Sequence, residues 1–144
     1  MLINYDSTAA LLEALHNSKK ETLAYFDLPE GELDKSYAPG KWNVRQLLHH
    51  LADAETVLYD RLRRGIARPG QIVWGFDQDA WANGLNYDNR PLTLNKKVYD
   101  AVRDSVIDLA KAWYEKAGDN FYIHSETGSR VLRQEFDKVA WHNE

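Results

Sequence analysis

Residues 42–65 constrain the fold more than any other stretch of the chain. Asn43 is a favourable helix N-cap, Gln46 stands where it completes a reciprocal capping pair, and Trp42 can pack on Leu47 as a hydrophobic staple. From Val44 the residues Val44, Leu47, Leu48, Leu51, Leu58 and Leu62 recur at helical spacing over about six turns. Gly65 and Pro69-Gly70 bring the run to an end. A helix of this length with one apolar stripe needs partners that cover the stripe.

Three further segments supply them. A first helix is expected from Asp6 to about Asp27, with Leu11, Leu12, Leu15, Thr22, Leu23 and Phe26 in phase. Leu28-Pro29-Glu30-Gly31 stops it. A third runs from Thr93 or Asn95 to Ala117, with Val98, Val102, Val106, Leu109, Ala112 and Trp113 expected inward and Gly118 as its stop. Phe121-Tyr122-Ile123-His124 reads as a brief extended piece. A fourth helix is expected from near Ser129, presenting Leu132, Phe136, Val139 and Ala140. It meets no terminator before Glu144, so its helix is expected to continue past that residue. Four amphipathic helices imply an all-α four-helix bundle, residues 1–144 forming a single domain. The connection between the second and third helices, about residues 67 to 92, is long and aromatic, with Trp74, Phe76, Trp81 and Tyr87; a loop of that length tends to be functional.

Composition narrows the chemistry. The chain has 144 residues and no cysteine, so disulfides and thiolate metal ligands are excluded and any ligand must be imidazole or carboxylate. The net charge of -4 and the scattered Lys and Arg leave no basic footprint for nucleic acid. No stretch reads as a leader or a membrane span, so a cytoplasmic location and no membrane partner are expected. Nucleophile elbows, phosphate-binding glycine loops, His-Glu-x-x-His and calcium loops are also missing.

Among the five histidines, helical phase separates two. With Leu47 at zero, His50 lies about 60° from the stripe and His49 about 200° away, facing solvent. On the last helix His142 falls at the stripe's edge, equivalent to His50. Imidazoles at the margin of a bundle core can converge from different helices to hold a metal. His16 and His124 are expected at the surface. Asp53, Glu55, Glu135 and Asp137 lie within two turns of these histidines and could ligate, act as a base, support a ligand or form ordinary ion pairs.

The run Gly40-Lys41-Trp42-Asn43-Val44-Arg45-Gln46-Leu47-Leu48-His49-His50-Leu51-Ala52-Asp53-Ala54-Glu55 resembles the second helix of the DinB-like (YfiT-like) metalloenzyme family, and Leu132 to Glu144 resembles its fourth. The resemblance implies a four-helix bundle with a long second connection. It implies His50 as one metal ligand and His142 as the first of a His-x-x-x-His pair whose second member would fall two positions beyond Glu144. It further implies a divalent ion, zinc or nickel first and iron or manganese as alternatives, a homodimer, and a small-molecule substrate, for instance a low-molecular-weight thiol. The activity it implies is thiol-dependent S-transfer, with metal-dependent hydrolysis and a non-catalytic stress-related or ligand-binding bundle as the other readings.

Overall fold

In the computed structural model, which describes residues 3–142, four long helices carry the fold: α1 (Thr8–Phe26), α3 (Val44–Ala67), α5 (Leu92–Ala117) and α6 (Leu132–Trp141). Between them lie a single turn α2 (Glu30–Leu33), a short strand β1 (Ile72–Val73), α4 (Gln78–Gly84), a 3₁₀ turn (Tyr87–Asn89) and the hairpin β2 (Phe121–His124) and β3 (Gly128–Val131). α5 and α6 each pack against both α1 and α3. The fully buried side chains Leu11, Leu15, Leu62, Val106, Tyr114, Phe136 and Val139 fill the space between them.

The start of α3 forms as its sequence dictates. The Asn43 side chain accepts from the Gln46 N–H, and the Gln46 side chain accepts from the Asn43 N–H. Two initiating donors are thus satisfied. α1 starts one residue later than expected, with Ser7 as its cap. At the other end of α3, Gly65 lets α6 approach: a Cβ there would stand 2.6 Å from a Leu132 methyl.

Three expectations need correction. Leu47 is 46% exposed and is not the centre of the stripe; Leu48, Leu51, Ala52, Glu55, Leu58 and Leu62 are buried instead. The apolar count missed this because Glu55 holds a core position. On α5 the buried row is Asn95, Tyr99, Arg103, Val106, Ala110, Tyr114 and Ala117, whereas Val98, Ala112 and Trp113 face outward. Polar residues, Asn95 and Arg103, again occupy the inward phase. Finally, α6 begins at Leu132, because Gly128–Val131 is a strand paired antiparallel with β2.

The expected extended piece Phe121–His124 is β2, at the centre of a three-stranded sheet. It pairs in parallel with β1, Ile72 opposite Ile123 and Val73 opposite His124, and antiparallel with β3, Tyr122 opposite Arg130. Alternation then sorts the side chains. Val73 and Tyr122 are buried, with His124 and Arg130 half-buried, while Ile72, Phe121, Ile123 and Val131 are exposed. The sheet thereby covers one end of the bundle where α3 and α6 meet. No helix among the described residues is long and apolar enough to cross a membrane.

Candidate metal centre

His50 and His142 line one cavity of about 270 Å³ between α3, α6, the sheet and the segment that follows β1. Helical repeat produces the convergence. On α3, His50, Ala54, Leu58 and Arg61 follow one another at four, four and three residues; on α6, Glu135, Lys138 and His142 do so at three and four. All seven face the cavity. The expectation that the two histidines share an environment therefore holds in space as well as in phase.

Their ring nitrogens are the unusual feature. His142 Nδ1 donates to the Val139 carbonyl at 3.3 Å, which leaves Nε2 as the unprotonated nitrogen. Among the described residues that buried Nε2 has no hydrogen-bond partner, and neither does the buried Nδ1 of His50. Buried polar atoms are nearly always paired, and an orphan costs about 1–3 kcal/mol. Burial, with the Arg103 charge adding to it, holds the His142 pKa down at about 3, and burial likewise lowers that of His50. Both imidazoles are kept neutral, the form that ligates metal. Trp42, with ring centroids 5.3 Å apart, and Phe76, stacked at 6.2 Å, flank the His50 ring.

The donor chemistry of the two histidines, neutral imidazoles lining one cavity, fits a divalent ion. Among the described residues no group of three or more His, Asp or Glu is placed to hold a metal. The candidate carboxylates are engaged elsewhere. Glu55 forms a fully buried pair with Arg103. Glu135 binds Arg61 at 3.1 Å and accepts from the Tyr122 hydroxyl. Asp137 accepts from the Tyr114 hydroxyl at 2.7 Å, and Asp53 from that of Tyr87. Asn143 and Glu144 lie outside the described residues.

His49 and His124 depart from expectation. His49 is fully buried, not solvated: Nε2–H donates to the Arg90 carbonyl at 3.1 Å, Nδ1 accepts from Asn95 at 2.7 Å, and Tyr87 stacks on the ring at 5.2 Å. The helical wheel placed it correctly, opposite Leu47; the aromatic connector and the start of α5 fold over that second face. His49→Ala is therefore expected to cost about 2–4 kcal/mol, from two lost hydrogen bonds and a cavity, with metal content unchanged. Urea unfolding and metal analysis check it, and loss of metal without loss of stability would instead assign His49 to the site. His124 is half-buried on β2 and lines the cavity with His50 and His142; its Nδ1 accepts from the Glu126 and Thr127 N–H groups. Only its pairing with β1 reveals this role, and a two-residue strand leaves little trace in sequence. His16 is exposed, as expected.

An all-helical bundle with a capped end and two orphaned imidazoles in a cavity defines a class, a bundle with a candidate metal centre. Residues 10–144 match the model of the DinB superfamily, and the chain belongs to that family. Two proteins of Oceanobacillus iheyensis, each named "Putative metal-dependent hydrolase", are similar to it: one is 31% identical over 134 residues, covering 92% of this chain and 75% of the relative. The other is 30% identical over 131 residues, covering 91% and 74%. The solved structure of YfiT from Bacillus subtilis, described as a probable metal-dependent hydrolase with an unusual four-helix bundle topology, superposes with a TM-score of 0.87. It is 18% identical, and the match covers 98% of this chain and 82% of that one. The bundle expected from the sequence is thus the fold.

Proposed function

We propose that this chain is a divalent-metal-dependent enzyme, a hydrolase of a small substrate, with His50 and His142 as two of the metal's ligands. Two neutral imidazoles that line one cavity, each with a buried ring nitrogen unpaired among the described residues, carry the reading, and the names of the Oceanobacillus relatives agree with it. Nitrogen donors suit zinc and nickel, with iron and manganese also compatible. A bound divalent ion supplies Lewis acidity, which polarises a carbonyl or phosphoryl group and makes water acidic near neutral pH.

The protein supplies the rest. The Val139 carbonyl fixes the His142 tautomer, and the Trp42 and Phe76 rings exclude water from two sides of His50. Arg61, Glu135 and Tyr122 form a buried wall whose carboxylate already has a partner on each oxygen. Glu135 thus holds Arg61 in place and is not a free base.

Metal analysis of the protein as expressed from its gene, with assays against a panel of small esters, amides and phosphoesters, tests the reading. Expected are stoichiometric divalent metal and hydrolysis that chelator abolishes and added metal restores, with no thiol required. Absence of metal would overturn it. Activity that appears only with an added low-molecular-weight thiol would move the same site to S-transfer.

A further inference from the structure

The same cavity carries more positive charge than its own carboxylates neutralise. Arg61, Arg130 and Lys138 line it, against Glu126 and Glu135. Glu135 is committed to Arg61. Neither Arg130 nor Lys138 has an ion-pair partner within 4.0 Å among the described residues; Arg130 makes a single 3.4 Å hydrogen bond to Thr127. Glu126 is exposed, with its carboxylate turned against Gly75. Lys138 and Arg130 are half-buried, where solvent screens a charge less than at an open surface.

Arg61 adds a second observation. It is 4% exposed, with Nη1 on Glu135 and Nη2 on the Trp74 carbonyl at 3.1 Å, yet its buried Nε has no partner among the described residues. The lining thus carries one cation more than its carboxylates, and Arg130 and Lys138 stand outside any ion pair among the described residues. Half-buried cations on a cavity wall are what proteins use to bind carboxylate and phosphate oxygens. The cavity volume, about 270 Å³, suits a compact ligand.

The geometry points to an anion-binding subsite, made by Lys138 and Arg130 on the α6 and β3 wall beside His50 and His142, that selects small substrates bearing a carboxylate or phosphate group. This rests on the reading of the cavity as the substrate site, but it does not need the metal. Lys138 stands one turn before His142 on α6, so an anion held there lies next to the proposed reaction centre.

The test is calorimetric titration of the metal-free, chelator-treated protein with inorganic phosphate, succinate and the neutral analogue succinamide. Metal is omitted because it would bind phosphate itself. Saturable binding of at least one anion and none of succinamide is expected; succinate alone would indicate a carboxylate substrate, phosphate alone a phosphorylated one. Lys138→Met and Arg130→Met should each weaken binding about tenfold or more, the worth of one charge-assisted hydrogen bond, while Lys111→Met on the far surface of α5 leaves it unchanged. No saturable binding of either anion, or equal affinity in all three variants, would overturn the proposal. Metal content of Lys138→Met, measured in parallel, should equal that of the unsubstituted protein, so failure of the anion site and failure of the metal site read out separately.

Discussion

Arg103→Leu is expected to destabilise the protein by about 3–5 kcal/mol, the range for removing one partner of a buried ion pair. Arg103 is fully buried on α5 and touches every other long helix. It binds both carboxylate oxygens of Glu55 on α3, at 2.5 and 3.0 Å, and donates to Leu15 O and Ser18 Oγ on α1 and to Val139 O on α6. The same Val139 carbonyl takes the His142 Nδ1–H, so the hub of the bundle also sets the histidine's orientation. Typical domains have 5–15 kcal/mol in total, so this single change removes a large share. Most of the loss is the stranded Glu55 charge, and Arg103→Leu with Glu55→Leu is therefore expected to recover most of it. Urea unfolding of the three proteins decides. A single-variant loss under about 1 kcal/mol, or a double variant no better than the single, would show that the pair does not organise the core.

This hub explains what was legible in the sequence and what was not. The apolar periodicity of α3 and α6, the Asn43 capping box and Gly118 at the end of α5 are local signals that locate the helices and put His50 and His142 at the core's edge, whereas Gly65 is no stop and α3 runs through it to Ala67. Phase on α5 was misread because hydrophobicity is a proxy for burial, and Asn95 and Arg103 are buried through partners forty or more residues away. A count of apolar residues cannot see Glu55 at residue distance 48 from Arg103. His49 is the same case: its face was identified, but its cover comes from Tyr87 and Asn95. The small sheet was half seen, since β2 has β-forming residues while β1 is two residues long and acquires its identity only by pairing. It is this sheet that brings His124 and Arg130 to the cavity, so the cationic wall was the part of the site that sequence could not show.

Packing histidines and metal ligands predict opposite responses to His142→Leu and His50→Leu, and the difference is large. For a ligand, metal at a thousand times its dissociation constant stabilises the fold by about 4.1 kcal/mol. In a chain of this size that raises Tm by roughly 10–20 °C, and either leucine variant should abolish the rise. In metal-free protein the expectation reverses. His142 Nε2 and His50 Nδ1 are buried without partners among the described residues, so each imidazole burdens the empty fold with an unmet polar atom costing about 1–3 kcal/mol. Leucine has similar bulk and no such atom, so the metal-free variants should be as stable as the unsubstituted protein or more so. A histidine serving only to pack would behave otherwise, losing stability on substitution and giving no metal-dependent shift beforehand. Thermal unfolding with chelator and with added zinc or nickel, on the same three proteins, reads both halves. Unchanged metal-induced shifts in both variants would remove His50 and His142 from the site. A metal-induced shift lost in His142→Leu alone would keep the centre on α6 and leave His50 as an aromatic-flanked wall residue.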